Sequence, residues 1–380
     1  MDIATLEPSR IITVARAAFA RPDTEFLCFG ESDRTFPPAA AAAMIDALGR
    51  GDALYPDVRG VPALRTALAA YLTGLHARPV SETRIQVTSS GMTAVNVALA
   101  ATVKSGDTVV LHGPAWPNPA NAARLRGATL SNLDLDQAPD GSFSLDLARL
   151  DALLAGARAF ILNSPNNPTG WTATADELAA ILDLCRHHGV WLISDEVYSR
   201  LIYTDGPAAP SLLDIATPTD RVIVCNSFSK AWAMTGWRLG WLVLPEGASD
   251  AIAEIVEVTQ SGSPPFTQAG AVAALADTSF VTEFRAHCAA GRDMALAGLD
   301  GLNGIRLAPP DGAFYAFIGV AGLTDSLDLA LRLVHEHGVA LAPGIAFGPG
   351  GEGYLRLCFA QAPARMERAM HRLRAGLQSR

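Results

Sequence analysis

Two lysines set the first chemical question. The chain has 380 residues and carries lysine only at Lys104 and Lys230; the remaining 27 of its 29 basic residues are arginine. A base composition that favours arginine codons accounts for the skew. It does not say why these two lysines stay. Arginine is permanently protonated and forms no imine, whereas a lysine amine can lose its proton and attack a carbonyl. Lys104 lies in KSGDTVVL, between a helical and a strand pattern, where a solvated charge suffices. Lys230 instead ends the run Asn226-Ser227-Phe228-Ser229-Lys230, and Gly236-Trp237-Arg238-Leu239-Gly240 follows shortly. Hydroxyls before an amine and an arginine after it make a pocket for a dianion. The tetrapeptide SFSK alone reads equally well as a polar turn.

Other chemistry-bearing residues also sit where strand patterns stop. Asp195 and Glu196 end VWLISDE, and Tyr198 comes next. A carboxylate leaving an apolar strand is costly unless it meets a cation. Asp195 is therefore a helix cap, a surface ion-pair partner, or a carboxylate that keeps a heterocyclic nitrogen protonated. Ser89-Ser90-Gly91-Met92-Thr93-Ala94 follows a strand and opens a helix. It is a tight turn, or a set of backbone N–H groups that cradle a phosphate. The loop Asn163-Ser164-Pro165-Asn166-Asn167-Pro168-Thr169-Gly170 is stiffened by its residue types. It turns the chain, or it aims an amide at a ring hydroxyl. Arg356 stands between leucines in YLRLCFA. Such an arginine needs an anion, either in an edge-strand salt bridge or on a substrate carboxylate.

The elements that must position these residues are legible. Apolar runs at 84–90, 107–113, 157–163, 190–196, 221–227 and 238–244 alternate with amphipathic stretches. One of these, 174–189, has a cap at Thr174, Glu177 three residues on, and a stop at Gly189. Strands apolar throughout and separated by helices predict an α/β fold with a mainly parallel sheet covered on both faces. In such sheets chemistry gathers at the carboxyl ends of the strands. We expect a large domain over 41–274 and a smaller α+β domain from 1–40 and 275–380, with strands at 314–320 and 354–360.

Composition narrows the function classes. Half the chain is apolar (49%) and 18% is charged, which is ordinary for a globular protein. The net charge of −9 argues against nucleic acid and anionic membrane as partners. Five separated cysteines with no CxxC read as reduced thiols, and no metal site is expected. The start MDIATLEPSR lacks the basic and apolar regions of a signal peptide, and no run is long enough to span a bilayer, so the expected compartment is the cytoplasm.

Taken in order, NSPNNPTG, SDEVY and SFSKAWAMTGWRLG resemble the class I/II aminotransferases of fold type I. Tyr55-Pro56-Asp57-Val58-Arg59-Gly60, Pro114-Ala115-Trp116-Pro117-Asn118, Pro310-Asp311-Gly312-Ala313-Phe314-Tyr315 and Pro343-Gly344 through Arg356 are similar to further motifs of that family. The resemblance runs from about Gly30 to Ala360. It implies a seven-stranded sheet in the large domain and pyridoxal 5'-phosphate held by Lys230 as a Schiff base. Asp195 would pair with the ring nitrogen, and Tyr198 and Asn167 would hydrogen-bond the phenolic oxygen. Trp116 would stack on the ring. Ser90, Gly91, Met92, Ser227 and Arg238 would bind the phosphate. Arg356 would fork onto the substrate α-carboxylate, with Asn167 and the backbone of Gly30 beside it. Tyr55 would reach the phosphate of a neighbouring subunit, which implies a homodimer.

The same resemblance implies amino acid and 2-oxo acid substrates and a ping-pong exchange of the amino group. Met92 departs from relatives that carry a hydroxyl there, so its contribution rests on its backbone N–H. Elimination or decarboxylation enzymes of the same fold share these motifs and stay open. A regulatory module fused to a DNA-binding head does not fit, because the family-like region begins near Gly30. The segment 259–268 has no arginine for a second substrate carboxylate, whereas Arg34 near the entrance is a candidate for that charge.

Overall fold

In the computed structural model, which describes residue 6 and residues 8–379, seven strands form the central sheet. They are β1 (Ile85–Thr88), β2 (Thr108–Gly113), β3 (Thr129–Asp134), β4 (Ala159–Asn163), β5 (Trp191–Asp195), β6 (Val222–Ser227) and β7 (Gly240–Val243). Their order is β1-β7-β6-β5-β4-β2-β3. Only β7 runs antiparallel to its neighbours. The apolar character of the inner strands has a direct cause. Phe160, Leu192 and Val224 point into one core, while Ile161, Ile193 and Ile223 point into another on the opposite face. Both faces are covered, so neither alternate position is left for water. The sequence pattern missed β3. It reads TLSNLD, lies at the sheet edge and is only partly buried, so it carries no apolar run.

Helix 174–189 forms as its end signals require. Thr174 and Glu177 close a reciprocal capping box, and Gly189 terminates the helix at φ 67°. A second sheet is antiparallel and has four strands: Ile305–Arg306, Tyr315–Val320, Tyr354–Cys358 and Ala342–Pro343. The N-terminal segment joins it. Glu25–Phe26 pairs in parallel with Val339–Ala340, and the Cys358 N–H donates to Leu27 O at 3.0 Å. This brings Gly30 beside Arg356 from 326 residues away in sequence. The expected domain limits at 41 and 274 fall within helices Pro38–Gly49 and Pro265–Ala276, which pack on each other.

Register aligns the strand ends. Asn163 lies opposite Asp195, and Asp195 opposite Cys225, two residues before Ser227. Gly240 sits between Ser227 and Thr88. A Cβ at Gly240 would come within 2.7 Å of Gly91 N and 2.8 Å of Asn226 O, both backbone atoms. Backbone cannot yield as a flexible side chain can. The substitution Gly240→Ala is therefore expected to cost about 1–3 kcal/mol and to lower the thermal midpoint; an unchanged melting curve would contradict this packing.

Candidate active site

One cavity of about 470 Å³ opens at the carboxyl ends of β2, β4, β5 and β6. Lys230, Asp195, Tyr198, Asn167, Trp116 and Arg356 all line it. So do Gly30, Gly91, Met92, Ser227 and Arg238. The strands explain the gathering. Asp195 is the last residue of β5 and Ser227 the last of β6, while Asn167 and Trp116 sit on the loops after β4 and β2. Arg356 comes from the second sheet, in register with Phe317 and Ala342.

Lys230 is the half-buried amine that faces the cavity. Its Nζ donates to Gly30 O at 2.7 Å and lies 5.7 Å from the ring centres of both Tyr198 and Phe314. Burial disfavours the charged form and lowers its pKa to about 8. Asp195 shows the converse. Burial raises its carboxyl to about 7, against the lowering effect of the Val197 N–H and the Lys230 charge. The only hydrogen bond its side-chain carboxylate accepts among the described residues comes from the Val197 N–H at 3.3 Å. A buried carboxylate with unused acceptor capacity suits a protonated ring nitrogen.

Arg356 is 2% exposed and has no carboxylate partner among the described residues. Its guanidinium lies between the rings of Tyr315 and Phe347, 4.4 and 4.8 Å from their centres. It donates to Asn167 Oδ1 at 2.9 Å and to Cys28 O, while its Nε finds no acceptor. A buried cation in this state is costly, and an anion entering the cavity would offset the cost. Asn167 is held from two sides, since its own N–H donates to Asn163 Oδ1 at 2.9 Å and its carbonyl accepts from Trp116 N–H at 3.0 Å.

The anion end is built from helix Gly91–Thr102, whose first two residues line the cavity, with Ser227 and Arg238 opposite. A Cβ on Gly91 would lie 3.1 Å from Ser227 Cβ and 3.2 Å from Val197 Cγ1, so the glycine leaves room for a ligand to approach the backbone. Ser90 does not line the cavity. Its Oγ accepts from the Thr93 N–H at 2.9 Å and caps the helix. Tyr55 is also outside, 91% exposed on the single chain. Arg34 is outside as well, paired with Glu283 at 2.9 Å.

Two contributions escaped the sequence reading, and a third, Ser229, was read only as one of the hydroxyls before the amine. Tyr315 OH is 2.7 Å from Tyr198 OH and lies where a Cβ on Gly30 would fall. It belongs to the PDGAFY segment, but nothing in that string assigns it a role. Ser229 lines the cavity with its hydroxyl 2.8 Å from that of Ser227. Ser9, Ile11 and Ile12, at the start of helix Arg10–Phe19, close one wall. No motif marks them. Among the described residues no group of His, Cys, Asp and Glu is placed to hold a metal ion, and no helix is long and apolar enough to cross a membrane.

An amine, a carboxylate and an anion cradle at strand ends of an α/β sheet define a cofactor-dependent group-transfer enzyme. The family model for aminotransferase class I and II matches residues 25–373, and the chain belongs to that family. It is therefore a pyridoxal-phosphate-dependent aminotransferase acting on amino acid and keto acid substrates. It is 32% identical to an aspartate aminotransferase of Thermotoga maritima, over 93% of this chain and 91% of that one. It is 34% identical to a valine–pyruvate aminotransferase of Mycobacterium tuberculosis, over 90% and 86%. The structure superposes on an aspartate aminotransferase mutant of Thermus thermophilus with a TM-score of 0.90 at 28% identity, covering 99% and 100% of the two chains.

The cofactor fits what the cavity offers: an acceptor at Asp195, an amine at Lys230 and an open helix start at Gly91. The raised Asp195 carboxyl also has a stability consequence. The folded chain holds that proton more tightly than the unfolded chain does. Without cofactor, the contribution of Asp195 to stability therefore falls as pH rises from about 4 to about 7 and stays lowered above, by roughly 4 kcal/mol at most. Cofactor-stripped Asp195→Asn protein is expected to melt higher than wild type at pH 8, with the gain fading towards pH 4. Equal melting at pH 8 would contradict a buried, unpartnered carboxylate.

Proposed function

We propose that this chain moves the amino group of an L-amino acid to a 2-oxo acid in two alternating half-reactions, with Lys230 holding the cofactor and carrying the proton. The observation that carries this reading is the placement of half-buried Lys230 and buried Arg356, neither with a carboxylate partner among the described residues, in one cavity with Asp195. When bound, the cofactor supplies a cationic ring that withdraws the electrons left by the departing Cα proton.

The protein residues do the rest. Lys230 Nζ, with its pKa brought down to about 8 by burial, is partly neutral near physiological pH and can take a proton from Cα and return it elsewhere. The Gly30 carbonyl fixes the direction of that amine. Asp195 would keep the ring nitrogen protonated. Asn167, whose amide NH2 has no acceptor among the described residues, and Tyr198 would hold the phenolic oxygen. Trp116 would cover a ring face. The backbone N–H groups of Gly91 and Met92, with Ser227 and Arg238, would bind the phosphate, and Ser90 would shape that turn. Arg356 would fork onto the substrate α-carboxylate and thereby set which Cα hydrogen faces Lys230.

The large unit over 41–274 would hold the cofactor, and 1–40 with 275–380 would bring Gly30 and Arg356 to it. A second copy would complete the site. Tyr55 and Leu54 are 91% and 85% exposed on the isolated chain, an uncovered apolar pair that supports Tyr55 reaching a neighbour's phosphate in a homodimer.

Lys230→Ala is expected to lose both the visible absorbance of bound cofactor and turnover. Arg356→Lys should raise KM for amino acids on the order of tenfold to a hundredfold, since a lysine cannot make the forked contact. A 2-oxo acid product should form catalytically only when an acceptor 2-oxo acid is present. Pyruvate and ammonia released without acceptor would replace this reading with elimination.

A further inference from the structure

We infer that the site selects amino acids with uncharged, apolar side chains over dicarboxylic ones, and that the start of helix Arg10–Phe19 forms the side-chain wall. The inference rests on the proposed transamination with Arg356 at the α-carboxylate. Three cationic side chains line the cavity among the described residues: Lys230, Arg238 and Arg356. In that reading each has its task, at the cofactor aldehyde, the phosphate and the α-carboxylate. Within one chain none is left for a second carboxylate, and the segment 259–268 carries no arginine to supply one.

Arg34 does not fill the gap. It is absent from the cavity wall, pairs with Glu283 at 2.9 Å and lies 5.6 Å over the Phe280 ring. What faces the substrate position is apolar. Phe29 lies between Cys28, whose carbonyl accepts from Arg356, and Gly30, whose carbonyl accepts from Lys230. A substrate bridging Arg356 and Lys230 therefore has Phe29 beside it. Ile11 and Ile12 line the same cavity from the helix, Ile11 buried and Ile12 41% exposed. Ser9 is the polar side chain there, and a hydroxyl cannot neutralise a carboxylate. A distal carboxylate would lose water against Phe29 and the two isoleucines and gain no cation in return. An aliphatic or aromatic side chain would bury apolar surface on the same wall.

The test uses the holoenzyme with pyruvate as acceptor and a donor panel of valine, leucine, methionine, phenylalanine, aspartate and glutamate. Single-turnover loss of the cofactor's visible band gives each donor half-reaction separately. The expected result is a kcat/KM for the best apolar donor on the order of a hundredfold or more above aspartate and glutamate, the scale set by an unpaired polar group in a closed site. Aspartate or glutamate reacting as efficiently as the apolar donors overturns the inference and leaves transamination standing. No transamination with any donor overturns the proposed function instead. Ile12→Arg, on the exposed side of the wall, supplies the absent cation. It is expected to raise aspartate kcat/KM about tenfold or more, relative to alanine in the same variant, by pairing the second carboxylate. An unchanged ratio in a folded, cofactor-loaded variant removes the helix from the side-chain wall.

Discussion

Charge buried without a counter-charge is the constraint on which the site depends. Asp195 and Arg356 each sit in low-dielectric surroundings with part of their hydrogen-bonding capacity unused. The same desolvation lowers the Lys230 pKa to about 8. In an empty cavity this arrangement opposes folding. The fold tolerates it because two covered cores, one on each face of the sheet, supply the stability that the site lacks. The arrangement would become favourable if a ring nitrogen met Asp195 and a carboxylate met Arg356. Binding energy and chemical function then come from one source, since the groups that most need a ligand are those that would act on it.

Register is how the sheet delivers these groups. Parallel strands β4, β5 and β6 end level, so Asn163, Asp195 and the residues around Ser227 form one row. The antiparallel β7 then passes between Ser227 and the start of helix Gly91–Thr102, and only a glycine at 240 allows that approach. The second sheet adds the opposing wall. Its strand Tyr354–Cys358 points Arg356 at the row, and its pairing partner carries Tyr315, which touches Tyr198 and crowds Gly30. Substrate would thus be gripped by one sheet while the cofactor is held by the other.

Selectivity belongs to a different part of the molecule. The groups that define the reaction class lie on the inner strands and their loops. The wall that would meet a substrate side chain comes from the N-terminal helix and Phe29. These belong to other segments than the phosphate cradle, so the wall can vary without replacing a residue of the cradle. This fits relatives with similar frameworks that are named for different amino acids, aspartate in one and valine in another.

The sequence by itself located the candidate residues at the strand ends. Lys230 stood out because arginine had replaced nearly every other cation, and Asp195 and Ser227 stood out because apolar runs stop at them, with Asn167 on the loop that follows another. Helix 174–189 was bounded correctly because a capping box and a C-terminal glycine are local hydrogen-bonding devices. Only the tertiary structure decided what is non-local. β3 was invisible because most of its residues are exposed or half-buried, so no apolar run marks it. Tyr315 had no role until it met Tyr198 across 117 residues. Ser90 was read as a ligand, yet its hydroxyl caps the helix. Arg34 was a plausible charge until Glu283 paired with it. Ile11 and Ile12 carried no motif, and packing alone placed them at the cavity. Local rules fix what a residue can do; which partner it does it with is set by the packing of distant segments, and no spacing in the chain records that.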